Sequence, residues 1–86
     1  MLSGDELSVI IYARFGRVYR PDIVTRSGRR YLVLSRTDDE PGPSEMIHFN
    51  KVAEVINSEG SPDHVKRAIL NTENAILGCE NIEIPI

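Results

Sequence analysis

The 86-residue sequence is 41% hydrophobic and 27% charged, with a formal net charge of −3. This length fits one domain, and this composition supports a hydrophobic core, which excludes a wholly disordered or collagen-like protein. No apolar run reaches the roughly 18 residues that a membrane helix needs, and the single cysteine excludes an internal disulfide scaffold. We therefore expect a single domain over residues 1–86 that does not associate with membranes.

The first predicted element is a β-strand over residues 7–15. Its odd positions are all apolar, and β-branched and aromatic residues are frequent in it. Gly16 is expected to end this strand. A second strand is predicted from Asp22 to Thr25, starting after Pro21, which cannot donate a backbone hydrogen bond to a neighbouring strand.

A hairpin is expected to join the second strand to a third. The segment Arg26-Ser27-Gly28-Arg29 is typical of a turn, in which Gly28 supplies the positive φ of a bulged hairpin. The third strand is predicted over residues 30–36, with a hydrophobic centre.

The middle of the chain is predicted to be a loop followed by a short strand. Residues 37–44 contain two prolines, a glycine and three consecutive acids, which disfavour both sheet and helix interior. Residues 45–49 fit either a fourth strand or the first turn of a helix. We favour the strand, because Asn50 would then be the N-cap of a helix over residues 51–57.

A second helix is expected to begin at Ser61 as N-cap, with Pro62 at the first helical position and Asp63 beside the positive end of the dipole. Gly78 is expected to end this helix at its C-terminus. The predicted apolar face of this helix comprises Val65, Ala68, Ile69, Thr72, Ala75 and Ile76.

Residues 81–86 are predicted to form a last, half-buried strand, in which Ile82, Ile84 and Ile86 alternate with polar residues or proline. Pro85 places this strand at an edge or makes it end there. The predicted order is β-β-β-(β)-α-α-β. This order indicates an α+β domain with a small antiparallel sheet of four to five strands and two helices packed on one face.

Charge is distributed unevenly along the sequence. Residues 1–36 hold seven arginines and no lysine against three acids, which gives a net charge of +4. Residues 37–86 hold three basic residues against ten acids, a net charge of −7. Guanidinium groups bind carboxylates and phosphates through paired hydrogen bonds and stack on flat rings. Four of the five aromatic residues lie in the same basic segment, so it is a candidate binding region.

The predicted binding surface is the hairpin together with residues 16–20. A protein partner is the favoured target, because an overall pI of about 5.3 is unusual for a dedicated nucleic-acid binder. RNA or DNA binding through the same side chains is the alternative, and a merely solvated or internally paired surface is a third. The predicted surface residues are Arg14, Arg17, Tyr19, Arg20, Arg26, Arg29, Arg30, Tyr31 and Arg36.

No motif for catalysis, cofactor binding or metal binding is recognisable. The sequence has no glycine-rich phosphate loop, and Cys79, His48 and His64 lack the paired spacing of a zinc site. The acidic run 38–40 is more typical of a solvated loop than of a calcium loop. We therefore predict a protein that is not an enzyme and binds no cofactor or metal.

The N-terminal segment does not resemble a secretion signal, because Asp5 and Glu6 stand where basic residues are expected. A cytoplasmic location is therefore expected. The sequence is also compatible with a homodimer, in which the last strand with Ile82, Ile84 and Ile86 adds to the edge of a second copy's sheet.

Overall fold

The computed structural model describes residues 1–73 and 81–86. Its elements are α1 (Gly4–Phe15), β1 (Tyr19–Arg26), β2 (Arg29–Arg36), α2 (Pro43–Ser58), α3 (Pro62–Asn71) and β3 (Asn81–Pro85). The α+β class is confirmed. The described residues form three strands and three helices in the order α-β-β-α-α-β, so the predicted order, the four to five strands and the two helices were wrong in detail.

The predicted strand over residues 7–15 is helix α1. Its buried side chains Leu7, Ile11 and Phe15 are four residues apart, a spacing that satisfies strand alternation and one helical face equally. The helix begins at Ser3, whose hydroxyl accepts a hydrogen bond from the Glu6 backbone N–H at 3.1 Å. It ends at Gly16 in the left-handed conformation (φ 69°), so Gly16 does end the element, as a helix cap.

The predicted hairpin is confirmed. β1 and β2 pair antiparallel with Arg26 opposite Arg29. Ser27 and Gly28 form a two-residue turn with φ of 51° and 78°. Positive φ at both positions makes this a primed turn, whereas a bulged turn was expected. β1 starts earlier than predicted because Pro21 is tolerated at the outer edge of the sheet.

Residues 45–49 belong to helix α2, so the predicted fourth strand was wrong, and Asn50 lies inside this helix instead of capping one. Pro43 stands in the first turn, where its missing N–H costs no helical hydrogen bond. The buried residues Phe49, Val52, Ala53 and Ile56 follow helical spacing, which extends the helix across the region that the sequence pattern had divided.

Helix α3 starts as predicted, after Ser61 and with Pro62 in its first turn, although the Ser61 side chain makes no capping hydrogen bond. Val65 and Ile69 are buried and Ala68 is partly buried, as the predicted face requires. The helix ends at Asn71, so Thr72 lies just beyond it. Three further predicted positions, Ala75, Ile76 and Gly78, lie outside the described residues, as does Cys79.

The sheet has the order β1-β2-β3 and is antiparallel throughout. β3 is an edge strand, as Pro85 had indicated. Helices α1, α2 and α3 pack on one face of this sheet, where Leu32, Leu34, Ile82 and Ile84 join their buried side chains in one hydrophobic cluster. None of the helices among the described residues is long and apolar enough to cross a membrane.

Candidate functional site

Strand alternation gives the sheet a second face, opposite the helices. We call it the open face, because its residues are outside the hydrophobic cluster to which all three helices contribute. Its members follow from the strand registers. They are Arg20, Asp22, Val24, Arg26, Arg29, Tyr31, Val33, Ser35, Asn81, Glu83 and Pro85.

The centre of the open face is apolar. Val24 stands directly opposite Tyr31 across β1 and β2, and Val33 follows on the central strand. Val24 and Tyr31 are half-buried, and Val33 is only 9% exposed. These three side chains are therefore a small apolar platform, which we call the Tyr31 platform.

An ion pair crosses the open face. Arg26 lies on β1 and Glu83 on β3, and their side chains pair through Nη1 and Oε1. Because β2 lies between these two strands, the pair spans the central strand on the side of the Tyr31 platform. Both partners are substantially exposed, so water screens this pair and it contributes little to stability.

The hairpin tip carries two more arginines. Arg30 pairs with Glu59 at the end of α2. Arg29 is exposed and forms no ion pair with the described residues. It stands opposite Arg26 in the strand register, so two cationic side chains are neighbours beside the Tyr31 platform.

The other end of the hairpin holds a separate cluster. Arg17 and Arg36 both approach Asp38 Oδ1, at 3.4 and 3.9 Å, and Arg20 approaches Glu45 at 3.8 Å. A cleft of about 390 Å³ lies here between the strand ends, residues 37–41 and the first turns of α2.

Two predicted surface residues are structural. Tyr19 is 2% exposed and packs edge-on against Phe15 with ring centroids 5.3 Å apart, so the prediction that it lies on the binding surface was wrong. Arg14 is half-buried, and its Nη2 donates a hydrogen bond to the Thr72 carbonyl, which links the end of α1 to the end of α3. Arg14 is therefore not part of the open face.

Most arginines of the basic first part of the chain form ion pairs with acids of the acidic second part. Five of the seven arginines in residues 1–36 pair with acids from the second half of the chain: Arg17, Arg20, Arg26, Arg30 and Arg36. Apart from Arg36 and Asp38, the paired charges are distant in the sequence, and the fold brings residues 37–42, α2 and β3 against the hairpin. All five pairs involve exposed carboxylates or guanidiniums, so each is weak and exchangeable with an outside partner.

The described histidines and acids do not assemble a metal centre. Among residues 1–73 and 81–86, no group of three or more His, Cys, Asp or Glu side chains could hold a metal ion. His48 Nε2 donates a hydrogen bond to the Pro21 carbonyl at 2.5 Å, because a carbonyl can only accept. That bond covers part of the outer edge of β1.

One titrating pair lies far from the open face. A hydrogen bond from Lys66 on α3 to Glu6 on α1, at 2.6 Å, lowers the pKa of Glu6 and raises the pKa of Lys66. Both groups keep their ordinary charged forms at neutral pH, so the pair joins two helices and supplies neither an acid nor a base.

Val24, Asp22 and Glu83 were not predicted as neighbours of Tyr31. The two β1 residues could have been found, because alternation along the hairpin places even positions of β1 beside odd positions of β2. Glu83 could not, since its place depends on β3 pairing with β2 across a long sequence separation.

The fold has a counterpart of known structure. The chain is similar to the solution NMR structure of the Alr2454 protein from Nostoc sp. strain PCC 7120, with a TM-score of 0.78 and 23% sequence identity over 98% of this chain and 86% of that chain. This likeness concerns the fold alone. No protein-family model and no curated protein matches the sequence.

Proposed function

We propose that the chain is a non-catalytic binding module that holds an acidic surface of a protein partner on the open face and hairpin tip. The observation that carries the proposal is the Tyr31 platform with Arg26 and Arg29 beside it. Tyrosine and arginine are enriched at the centres of protein interfaces, where an apolar contact is combined with oriented hydrogen bonds. A partner with an apolar residue flanked by carboxylates fits this chemistry.

The exchangeable Arg26–Glu83 pair supports this proposal. A partner carboxylate can replace Glu83 beside Arg26 at small cost, because the existing pair is solvent-exposed. Arg29 needs no such exchange, since it forms no ion pair with the described residues. A partner would thus bind Arg29 directly and would bind Arg26 by displacing Glu83.

Nucleic-acid binding is the less supported alternative. Stacking on bases requires exposed rings near the cationic groups. Phe15 and Tyr19 are in the core. The exposed ring of Tyr12 lies on α1, and the half-buried ring of Tyr31 lies on the open face of the sheet. Because α1 belongs to the helical layer, one nucleic-acid strand would not contact both rings along a single face.

The proposal includes the absence of catalysis and a cytoplasmic location. His48 is engaged with the Pro21 carbonyl, and His64 is exposed in the first turn of α3. No described arrangement pairs a nucleophile with a base, which catalysis through a covalent intermediate would need. The proposed cytoplasmic location rests on Asp5 and Glu6, which stand where a secretion signal has basic residues.

Self-association through β3 is a separate proposal, in which the contact differs from the one predicted from the sequence. Ile82 and Ile84 are buried in the chain's own core, so the predicted apolar contact through these side chains is not available. A second copy would instead pair with the outer backbone edge of β3, where Glu83 directs its backbone groups away from β2. Light scattering would then give twice the monomer mass.

The binding proposal is tested by site-specific photocrosslinking. A photoreactive phenylalanine analogue replaces Tyr31 in one variant and Tyr12, on α1, in a matched control variant. We expect a specific crosslinked protein from the Tyr31 position alone. The captured protein is then purified, and its Kd is measured with the unmodified chain and with Arg29→Glu.

Charge reversal at Arg29 is expected to weaken the complex by roughly tenfold or more, with the melting temperature almost unchanged. A protein captured equally from Tyr12 and Tyr31, or an unchanged Kd for Arg29→Glu, would contradict the proposal. Capture of RNA or DNA from Tyr31 would favour the alternative.

A further inference from the structure

We propose a second binding site, for a run of carboxylates in a protein segment, made by Arg17, Arg20 and Arg36 and occupied in the free protein by the chain's own acidic loop. The acidic loop is defined as residues 37–42. This site is independent of the Tyr31 platform. It lies at the opposite end of the hairpin, roughly 20 Å from the tip, because Arg20 and Arg26 are six positions apart along the strand.

The three arginines reach one place from three positions in the chain. Arg17 precedes β1, Arg20 is near its start, and Arg36 ends β2, beside the start of β1 in the register. Arg20 and Arg36 line the cleft of about 390 Å³, together with Asp39, Glu40 and Glu45. A charged cleft is thus formed where the acidic loop leaves the sheet.

The loop lies beside these arginines without binding them tightly. Asp38 of the loop is 3.4 Å from Arg17 and 3.9 Å from Arg36, both longer than the about 2.7–2.9 Å of a charge-assisted hydrogen bond. Arg20 is 3.8 Å from Glu45, in the first turn of α2 beside the loop. The Asp38 side chain is 84% exposed and is shared by Arg17 and Arg36. One carboxylate therefore serves two guanidiniums, which leaves unfilled hydrogen-bonding capacity on both.

The loop is positioned by its backbone as well as by charge. The Thr37 N–H donates to the Val18 carbonyl at 3.3 Å, and the Asp39 N–H donates to the Thr37 hydroxyl at 3.2 Å. These bonds keep the start of the acidic loop beside β1. The loop thus acts as an attached competitor, whose local concentration is high but whose individual contacts are weak.

The chemistry of the cleft favours a carboxylate segment over nucleic acid. Its present occupant is itself a run of carboxylates. The aromatic residues that line it, Tyr19 and Phe49, are buried in the core and offer no exposed face for base stacking. A protein segment with two or three consecutive acidic residues satisfies the three guanidiniums without needing a stacking surface.

The test neutralises the loop and measures binding of a labelled hexaglutamate peptide by fluorescence anisotropy at about 50 mM salt, where charge screening is modest. The loop-neutral variant carries Asp38→Asn, Asp39→Asn and Glu40→Gln. The matched control carries Glu54→Gln, Asp63→Asn and Glu73→Gln, an equal change of net charge at exposed positions on and after the helices. All six residues are exposed, so both variants should fold.

We expect the loop-neutral variant to bind the peptide about tenfold more tightly than the control, since the two weak ion pairs of Asp38 and the adjacent acidic charges are removed. Adding Arg20→Ala and Arg36→Ala to the loop-neutral variant should abolish this gain. Equal gains in both charge-matched variants, or a gain that survives the two alanines, would overturn the proposal. So would a single-stranded hexanucleotide that gains as much affinity as the peptide.

Discussion

The two faces of the sheet are built from alternate residues of the same strands, yet they have different chemistry. On the helix side, Leu32 and Leu34 are fully buried with Ile82 and Ile84. On the open face, Tyr31 and its neighbours meet charged side chains and water. One strand thus contributes to stability and to a surface at the same time, because adjacent side chains point to opposite sides. Substitutions at neighbouring positions should therefore have very different effects.

The largest expected effect is the difference in the free energy of unfolding between Leu32→Ala and Tyr31→Ala. Leu32 has 0% exposure, so its truncation leaves a cavity and should lower the free energy of unfolding by about 2–5 kcal/mol. Tyr31→Ala should cost roughly 1 kcal/mol or less, because this ring is half-exposed on the open face. Urea denaturation of both variants measures the difference. Similar losses would show that the open face is part of the core.

The next largest effect is expected at Gly4, where helix α1 lies close to α2. A Cβ added at Gly4 would come within 2.8 Å of the Asn50 backbone nitrogen, so Gly4→Ala must push α1 away from α2. We expect a loss of about 1–3 kcal/mol in unfolding free energy. Gly42→Ala is the matched control, because nothing lies within 4 Å of its Cβ position. Equal melting temperatures for the two variants would rule out this close approach.

A smaller effect is expected for the ion pair on the open face. A double-mutant cycle with Arg26→Met and Glu83→Gln should give a coupling energy below about 1 kcal/mol, since both side chains are solvent-exposed. A coupling energy of about 3 kcal/mol would mean that the pair holds the sheet together. It would then be unavailable for exchange with a partner, contrary to the proposed function.

The smallest effect is a pH dependence located in the helical layer. The lowered pKa of Glu6 means that its contribution to stability is present above the usual value of 4.5 and is lost as pH falls below it. The raised pKa of Lys66 adds a loss of stability only above 10.5. Melting temperatures below pH 4.5 should fall less steeply for Glu6→Gln than for the unmodified chain. Glu54→Gln, the control, should behave as the unmodified chain does.

Local signals predicted the hairpin and the start of α3 well. Ser27-Gly28 selects the turn, and Ser61-Pro62 marks a helix start, whatever the rest of the chain does. Helix α1 was missed because Leu7, Ile11 and Phe15 fit both a strand and a helix. The capping pattern formed by Ser3 and Glu6 would have decided for the helix.

The candidate site was only partly predictable for a different reason. The sequence located the arginines, and alternation assigned Tyr31 to the face opposite Leu32. It could not reveal that Glu59 and Glu83 would pair with Arg30 and Arg26, because these contacts join residues far apart in the chain. The burial of Tyr19 likewise depends on Phe15 being helical.

The most direct test of the proposed function is a map of backbone amide shifts of the isotope-labelled chain, titrated with the protein captured through Tyr31. We predict that the largest changes fall on Val24, Arg29, Tyr31 and Val33. The amides of Val9 and Tyr12, on the exposed side of α1, should stay unchanged. Changes centred on α1, with the open face unaffected, would contradict the proposal.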